Sequence, residues 1–207
     1  MSKLKRLPAK FYQQDTFALA ENLLGKYLIR KYNNHILNGK IVETECYYGP
    51  NDLASHASRG KTERTKLMFA QPGLAYIYLI YGMYYCLNIV TEHKNFPAAI
   101  LIRAIEPISG LKQMAKNRQI PVAQNSLPIT KLTSGPGKLC QAFKINKSLN
   151  GENLITSKKL YLATNTQEKI TPKQIKKAKR IGIDYAGQYK NKLWRYYLKD
   201  NLFVSQK

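Results

Sequence analysis

Acidic residues are scarce in this 207-residue chain: 12 Asp and Glu stand against 34 Lys and Arg, a formal net charge of +22. An excess of this size works against a compact fold by self-repulsion, and it points to a polyanionic partner. Cysteine is scarce as well. Cys46, Cys86 and Cys140 lie far apart with no C-x-x-C pair, which argues against both a disulfide framework and a zinc site. The three histidines, His35, His56 and His93, are just as scattered. A reduced, cytoplasmic setting fits this usage, and neither a metal nor an organic cofactor is expected. Long apolar runs are missing: residues 76–90, the longest, are interrupted by Gly82 and Asn88 and are too short to span a bilayer. The basic N-terminus lacks the apolar core of a signal peptide, so no membrane partner is expected.

Several catalytic signatures are absent. There is no Ser/His/Asp pattern, no H-E-x-x-H, no G-x-G-x-x-G, and no H-x-E with P-C-x-x-C of the zinc deaminases. Gly135-Pro-Gly-Lys138 lacks the spacing of a phosphate-binding loop and reads as a turn into a helix.

Hydrophobic residues make up 44% of the chain, enough for a packed core, and the length suits one domain spanning residues 1–207. Asp15 suits the cap of a short helix carrying Phe17, Leu19, Leu23 and Leu24, with Gly25 as its stop. Strands are expected at 27–30, 41–46, 75–80, 83–91, 98–104 and 160–163, with turns at Asn33-Asn34 and Tyr81-Gly82. The polar stretch 53–73 reads as a long functional loop, with a helical turn near 65–69. Helices are expected at 110–117, after Gly135, and from Thr171-Pro172 through the lysines at 173, 176, 177 and 179. Residues 119–134 show little periodicity. The resulting fold class is α+β: a single compact domain around a mostly antiparallel β-sheet with flanking helices.

Within the strand at 41–46, Ile41, Glu43 and Glu45 share one face while Val42, Thr44 and Cys46 share the other. Glu45 is the sharpest candidate for chemistry, because it sits between a β-branched run and the aromatic Tyr47 in a chain with few acids. Glu43 is its rival on the same face, and spacing does not separate them. Most of the fifteen tyrosines, Tyr76 and Tyr85 among them, read as strand and core residues. Tyr81 differs, since it precedes a glycine at a turn where a large ring would protrude as a wedge between base pairs. A carboxylate among flat aromatics on a basic chain suggests chemistry on a nucleic-acid base. The competing reading is a non-enzymatic, basic RNA- or ribosome-binding protein, to which Glu45 and Asn88 would be dispensable.

At these residues the chain resembles a known family. Glu43-Thr-Glu45-x-Tyr47-x-Gly-Pro50, Ala54-Ser-His56, Tyr78-x-x-Tyr81-Gly82-Met83, Cys86-x-Asn88, Leu101-Ile-Arg103-Ala, Gly135-Pro-Gly-Lys-Leu-Cys140 and Gly182-Ile-Asp-Tyr-Ala-Gly187 occur in order. Together they resemble the alkyladenine (3-methyladenine) DNA glycosylase family over nearly the whole chain. The resemblance implies a curved sheet and a monofunctional, metal-free glycosylase that flips a damaged purine from duplex DNA and hydrolyses its N-glycosidic bond, acting as a monomer. It assigns Glu45 as the general base and Arg103, with the backbone carbonyl of Ile181, to holding the water. It places Tyr47, His56 and Tyr78 around the flipped base and Asn88 on the pocket floor, where it disfavours the amino group of guanine. Tyr81 fills the vacated stack, with Met83 and Tyr84 beside it on the hairpin. Cys46 stands where the family commonly has Ala, next to Glu45.

Overall fold

In the computed structural model, which describes residues 4–121 and 129–207, the chain opens with a two-residue strand β1 (Lys5–Arg6) and one helical turn α1 (Ala9–Tyr12). Asp15 then sets the start of α2 (Thr16–Leu23): its carboxylate accepts the backbone N–H groups of Phe17 and Ala18 at 2.9 and 3.1 Å. Two otherwise orphaned donors are thereby satisfied. Gly25, at φ +81°, turns the chain out of the helix as expected.

Strands β2 (Tyr27–Tyr32) and β3 (His35–Tyr48) form a hairpin through Asn33-Asn34, and β4 (Ala75–Ile80) and β5 (Tyr84–Val90) form another through Tyr81-Gly82. Tyr81 and Gly82 both have positive φ, 54° and 69°, and the Met83 N–H reaches the Ile80 carbonyl at 3.2 Å. Two left-handed central residues make the turn type whose twist suits a hairpin. Next come β6 (Ala98–Ser109), α3 (Leu111–Asn117), α4 (Thr130–Thr133), α5 (Pro136–Ala142), β7 (Leu160–Thr164), β8 (Ile175–Ala178) and β9 (Arg195–Leu198). Residues 122–128, inside the stretch read as lacking periodicity, lie outside the described residues.

The strands join one open sheet in the order β1-β7-β2-β3-β6-β5-β4, and β9 adds to β3 while carrying β8; each described pairing is antiparallel. The α+β class is as read from the sequence. Strand β3 is the spine. Its first half pairs with β2, its second half with β9, and β6 runs along its other edge. Side chains at 43–45 are therefore flanked by strands on both sides, which is why two glutamates there are wholly buried. The β3–β6 register slips by one at Val42 and slips back at Arg103, two bulges that bracket Glu43 and re-aim the side chains beside it.

The 171–180 stretch departs from expectation. Thr171-Pro172 does start a helical turn, closed by reciprocal bonds with Gln174, but the turn ends there and Ile175–Ala178 becomes strand β8 on the edge of β9. Lysines at 173, 176, 177 and 179 leave a helix only Ile175 and Ala178 as apolar surface to bury, whereas an extended segment pairs its backbone with β9 and keeps both residues partly buried against the core. Strands β1 and β9 were not anticipated.

Gly39 marks how tightly β3 meets β6. A Cβ there would collide with the Ile105 side chain and stand 3.0 Å from the Glu106 carbonyl oxygen. Gly39→Ala should therefore lower stability by ~1–3 kcal/mol, the cost of overpacking. Urea unfolding with an unchanged slope would report it, and an unshifted midpoint would show that the strands have room to separate.

Candidate active site

Glu43 and Glu45 on β3 meet Arg103 on β6 beneath the sheet surface. Arg103 Nε lies 3.2 Å from Glu43 Oε1, and its Nη1 lies 3.1 Å from Glu45 Oε2. Both carboxylates are completely inaccessible. A buried charge requires compensation, and each acid meets three polar partners. Glu43 is held by Arg103, by Arg195 Nη1 at 2.9 Å and by the Ser205 N–H at 2.7 Å. Glu45 is held by Arg103, by the Tyr47 hydroxyl at 2.7 Å on Oε1 and by the Ile181 N–H at 3.3 Å on Oε2. Burial works against the charge on Arg103, but Glu45 and then Glu43 outweigh it and raise its pKa above the ordinary arginine value.

These partners distinguish two acids that spacing left equivalent. Beyond Arg103, Glu43 is tied to Arg195 and the Ser205 backbone, away from the cavity. Glu45 touches Tyr47, Arg103 and Ile181, all of which line a cavity of about 490 Å³. Its carboxylate sits one hydrogen bond behind the wall. The contact from Ile181 is made by its N–H, where the resemblance implied its carbonyl.

The floor of that cavity is one face of the sheet, visible in a period of two: Tyr76, Tyr78 and Ile80 on β4, Tyr84, Cys86 and Asn88 on β5, Leu101 and Arg103 on β6, and Tyr47 on β3. Tyr76, read as a plain strand residue, belongs to this face, and its i, i+2 relation to Tyr78 was the available signal. The loop after β3 supplies His56 from a 3₁₀ turn (His56–Arg59) capped by Ser55, whose hydroxyl accepts the Ala57 N–H at 3.2 Å. A small cluster of Ala57, Met68, Tyr76, Val90 and Ala99 fastens this loop to the sheet.

His56 stands edge-on to the Tyr78 ring, 4.5 Å between centroids, and its Nδ1 lies 3.1 Å from the Tyr76 hydroxyl. Burial, then the nearby Arg64 and Arg59 guanidinium groups, push its pKa down to about 4. Burial and the facing Glu45 carboxylate hold the Tyr47 hydroxyl well above the usual phenol range, so it is a donor to Glu45. Asn88 is buried on the floor with its amide nitrogen donating to the Tyr76 carbonyl at 3.2 Å. At the cavity mouth the hairpin projects outward: Tyr81 is 78% exposed, and Met83 and Tyr84 are also exposed. Tyr185, which sequence reasoning did not single out, is 73% exposed and also lines the cavity.

All ten residues proposed from the sequence thus lie in or immediately around one cavity, Met83 at the adjoining hairpin tip. Cys46, Cys86 and Cys140 are buried free thiols, and among the described residues no cluster of three metal-binding side chains occurs. No helix among them is long and apolar enough to cross a membrane.

A slot of aromatic rings backed by a buried, hydrogen-bonded carboxylate, on a chain of charge +22, has the shape and groups for chemistry on a flat ring. Comparison with known proteins makes the class specific. Residues 10–202 match the family described as methylpurine-DNA glycosylase (MPG). Proteins named "Putative 3-methyladenine DNA glycosylase" from Natranaerobius thermophilus, Clostridium perfringens (strain SM101) and Desulfitobacterium hafniense are 48%, 47% and 46% identical to it. The alignments cover 97%, 98% and 99% of this chain and 98%, 100% and 100% of theirs. The chain belongs to the methylpurine-DNA glycosylase family.

The His56 environment has a measurable consequence. An unfolded histidine takes up its proton near pH 6.5, whereas the folded ring does so only near pH 4. Stability contributed by keeping His56 neutral is therefore present above pH 6.5 and is lost as pH falls toward 4. NMR of the ring should show a midpoint near pH 4, and a midpoint between 6 and 7 would mean that the ring is solvated.

Proposed function

We propose that this protein is a monofunctional DNA-repair glycosylase that draws an alkylated or deaminated purine of the 3-methyladenine type out of duplex DNA and hydrolyses its N-glycosidic bond. The observation that carries the reading is Glu45: a buried carboxylate held by three residues of an aromatic cavity, one hydrogen bond behind its wall. A protein that only bound phosphate backbones, whether RNA or DNA, would have no use for it there.

The chemistry follows from the arrangement. Glu45 Oε2 faces the Arg103 guanidinium and accepts the Ile181 N–H, while Oε1 accepts only the Tyr47 hydroxyl, so a lone pair on Oε1 is left for a water proton. The water oxygen bonds to sugar C1′ as the C1′–N9 bond breaks, the bonding pair leaves with the purine, and the proton passes to Glu45. An abasic site remains. Arg103 holds the carboxylate in position, and Ile181 contributes its backbone. A purine alkylated at N3 or N7 is cationic, so it stacks favourably on electron-rich rings such as Tyr47 and Tyr78, and its bond to the sugar is already weakened. His56, neutral above about pH 4, adds no opposing charge. Asn88 on the floor crowds the exocyclic amino group that marks normal guanine, which favours adenine-type lesions.

Tyr81 occupies the space left in the stack, and damaged pairs cost less to unstack, which adds discrimination before chemistry. The lysine and arginine excess supplies phosphate contacts, whose affinity falls with salt at a slope of about −0.9 per neutralised phosphate. The protein acts on damaged double-stranded DNA as a monomer, at the nucleoid if the source is bacterial.

The test compares the two glutamates. Glu45→Gln should bind a hypoxanthine duplex as the wild type does while releasing the base ~10²-fold more slowly or worse in single-turnover assays. Glu43→Gln should act chiefly on the fold, costing ~3–5 kcal/mol as the usual scale for breaking a buried pair. Equal release by wild type and Glu45→Gln on this neutral lesion would remove Glu45 from the chemistry.

A further inference from the structure

A second buried ion pair stands behind the cavity, and the mechanism above does not use it. Arg180 Nη1 and Nη2 grip Asp52 Oδ2 and Oδ1 at 2.6 and 2.8 Å, and both side chains are fully enclosed. Asp52 also accepts the backbone N–H groups of Tyr48, at 3.3 Å, and Ala54, at 3.1 Å, pinning the turn that leads to His56. Arg180 donates in addition to the Cys46 carbonyl at 3.0 Å and the Tyr189 carbonyl at 3.4 Å. Its guanidinium carbon lies 5.1 Å from the centre of the Tyr47 ring and 4.9 Å from that of Trp194.

An ion pair of this kind gives little net stability, because the cost of desolvating both charges roughly cancels their attraction. Well-packed apolar side chains would join these segments as firmly. What the pair does have is reach toward Glu45. Tyr47, under the Arg180 guanidinium, donates its hydroxyl to Glu45 Oε1, and Ile181, the next residue after Arg180, donates its N–H to Glu45 Oε2. Both hydrogen-bond donors on Glu45 are thus set by one rigid fork. Lysine at 180 would keep the charge and lose the planar, two-pronged grip.

We propose that the Asp52–Arg180 pair is the positioning device of this site, holding the Tyr47 ring and the Ile181 amide so that Glu45 keeps its orientation when a base enters. Asp52 and Arg180 touch no substrate in this role and act through Tyr47 and Ile181. The inference rests on Glu45 serving as the general base.

The experiment measures single-turnover base release by the wild type, Arg180→Lys and Asp52→Asn on two duplexes, one carrying neutral hypoxanthine and the other cationic 7-methylguanine. A positioning role weighs on the activation of water, which the cationic base needs less. Both variants should bind the lesion duplexes as the wild type does and release hypoxanthine ~10- to 100-fold more slowly, the range expected from a small misplacement. Release of 7-methylguanine should slow far less. In the Tyr47→Phe background, Arg180→Lys should add little on hypoxanthine, since the two changes act along one path. Equal slowing on both lesions, no slowing on either, or a circular-dichroism spectrum showing both variants unfolded would overturn the proposal and leave the pair a fold element only. A wild type that releases neither base would instead overturn the glycosylase reading itself.

Discussion

Two carboxylates buried in a chain with very few of them are the constraint from which the rest of this structure follows. Glu43 and Glu45 are accommodated in the sheet because Arg103 stands between them and because Arg195, Ser205, Tyr47 and Ile181 complete their coordination. Meeting that requirement takes paired bulges in β3 and β6, an extra strand β9 on the edge that β2 leaves free, and the C-terminal residues folded back to residue 205. The division of labour between the acids follows from position. Glu43 is the anchor that holds Arg103 and Arg195 in place, and Glu45 borrows Arg103 from it while facing the cavity side.

Electrostatics at two ranges then complement each other. At long range the excess of lysine and arginine favours a polyanion without regard to sequence. At short range the cavity presents the rings of Tyr47, Tyr76, Tyr78 and Tyr84, His56 beside them is held neutral, and Arg103 is spent on two carboxylates, while Arg118 and Lys138 also line the wall. Stacked aromatic rings of this kind suit a flat ring. The exposed Tyr81 at the tip of the β4–β5 hairpin stands at the boundary between the two regimes, on a turn whose paired left-handed residues push the side chain outward.

How much of this could be read from the sequence depended on range along the chain. Asp15 and Gly25 bounded their helix because capping is local, and Tyr81-Gly82 marked its turn for the same reason. The shared face of Glu43 and Glu45 was visible in the period of two, and the same rule applied to Tyr76 and Tyr78 would have added Tyr76 to the cavity. The roles of the two glutamates were hidden, because they turn on Arg195 and Ser205, 152 and 162 residues away. Asp52 and Arg180, 128 residues apart, were hidden for the same reason. The stretch after Thr171 shows the opposite failure. Its start signal was genuine and formed a turn, but propagation needs an apolar stripe, and the open edge of β9 offered the backbone a better partner.

Whether Glu45 acts on a water at the sugar of a base lodged in the aromatic cavity can be seen in a crystal structure of the Glu45→Gln protein on a duplex containing one hypoxanthine. That structure should show an intact glycosidic bond, the purine out of the helix and enclosed by Tyr47, His56 and Tyr78, and Tyr81 in its place in the stack. A water should lie within hydrogen-bond reach of side chain 45 and face C1′. A purine still stacked in the duplex with the cavity turned away from the DNA, or an everted purine whose C1′ lies on the far side of the cavity from residue 45, would contradict that role of Glu45.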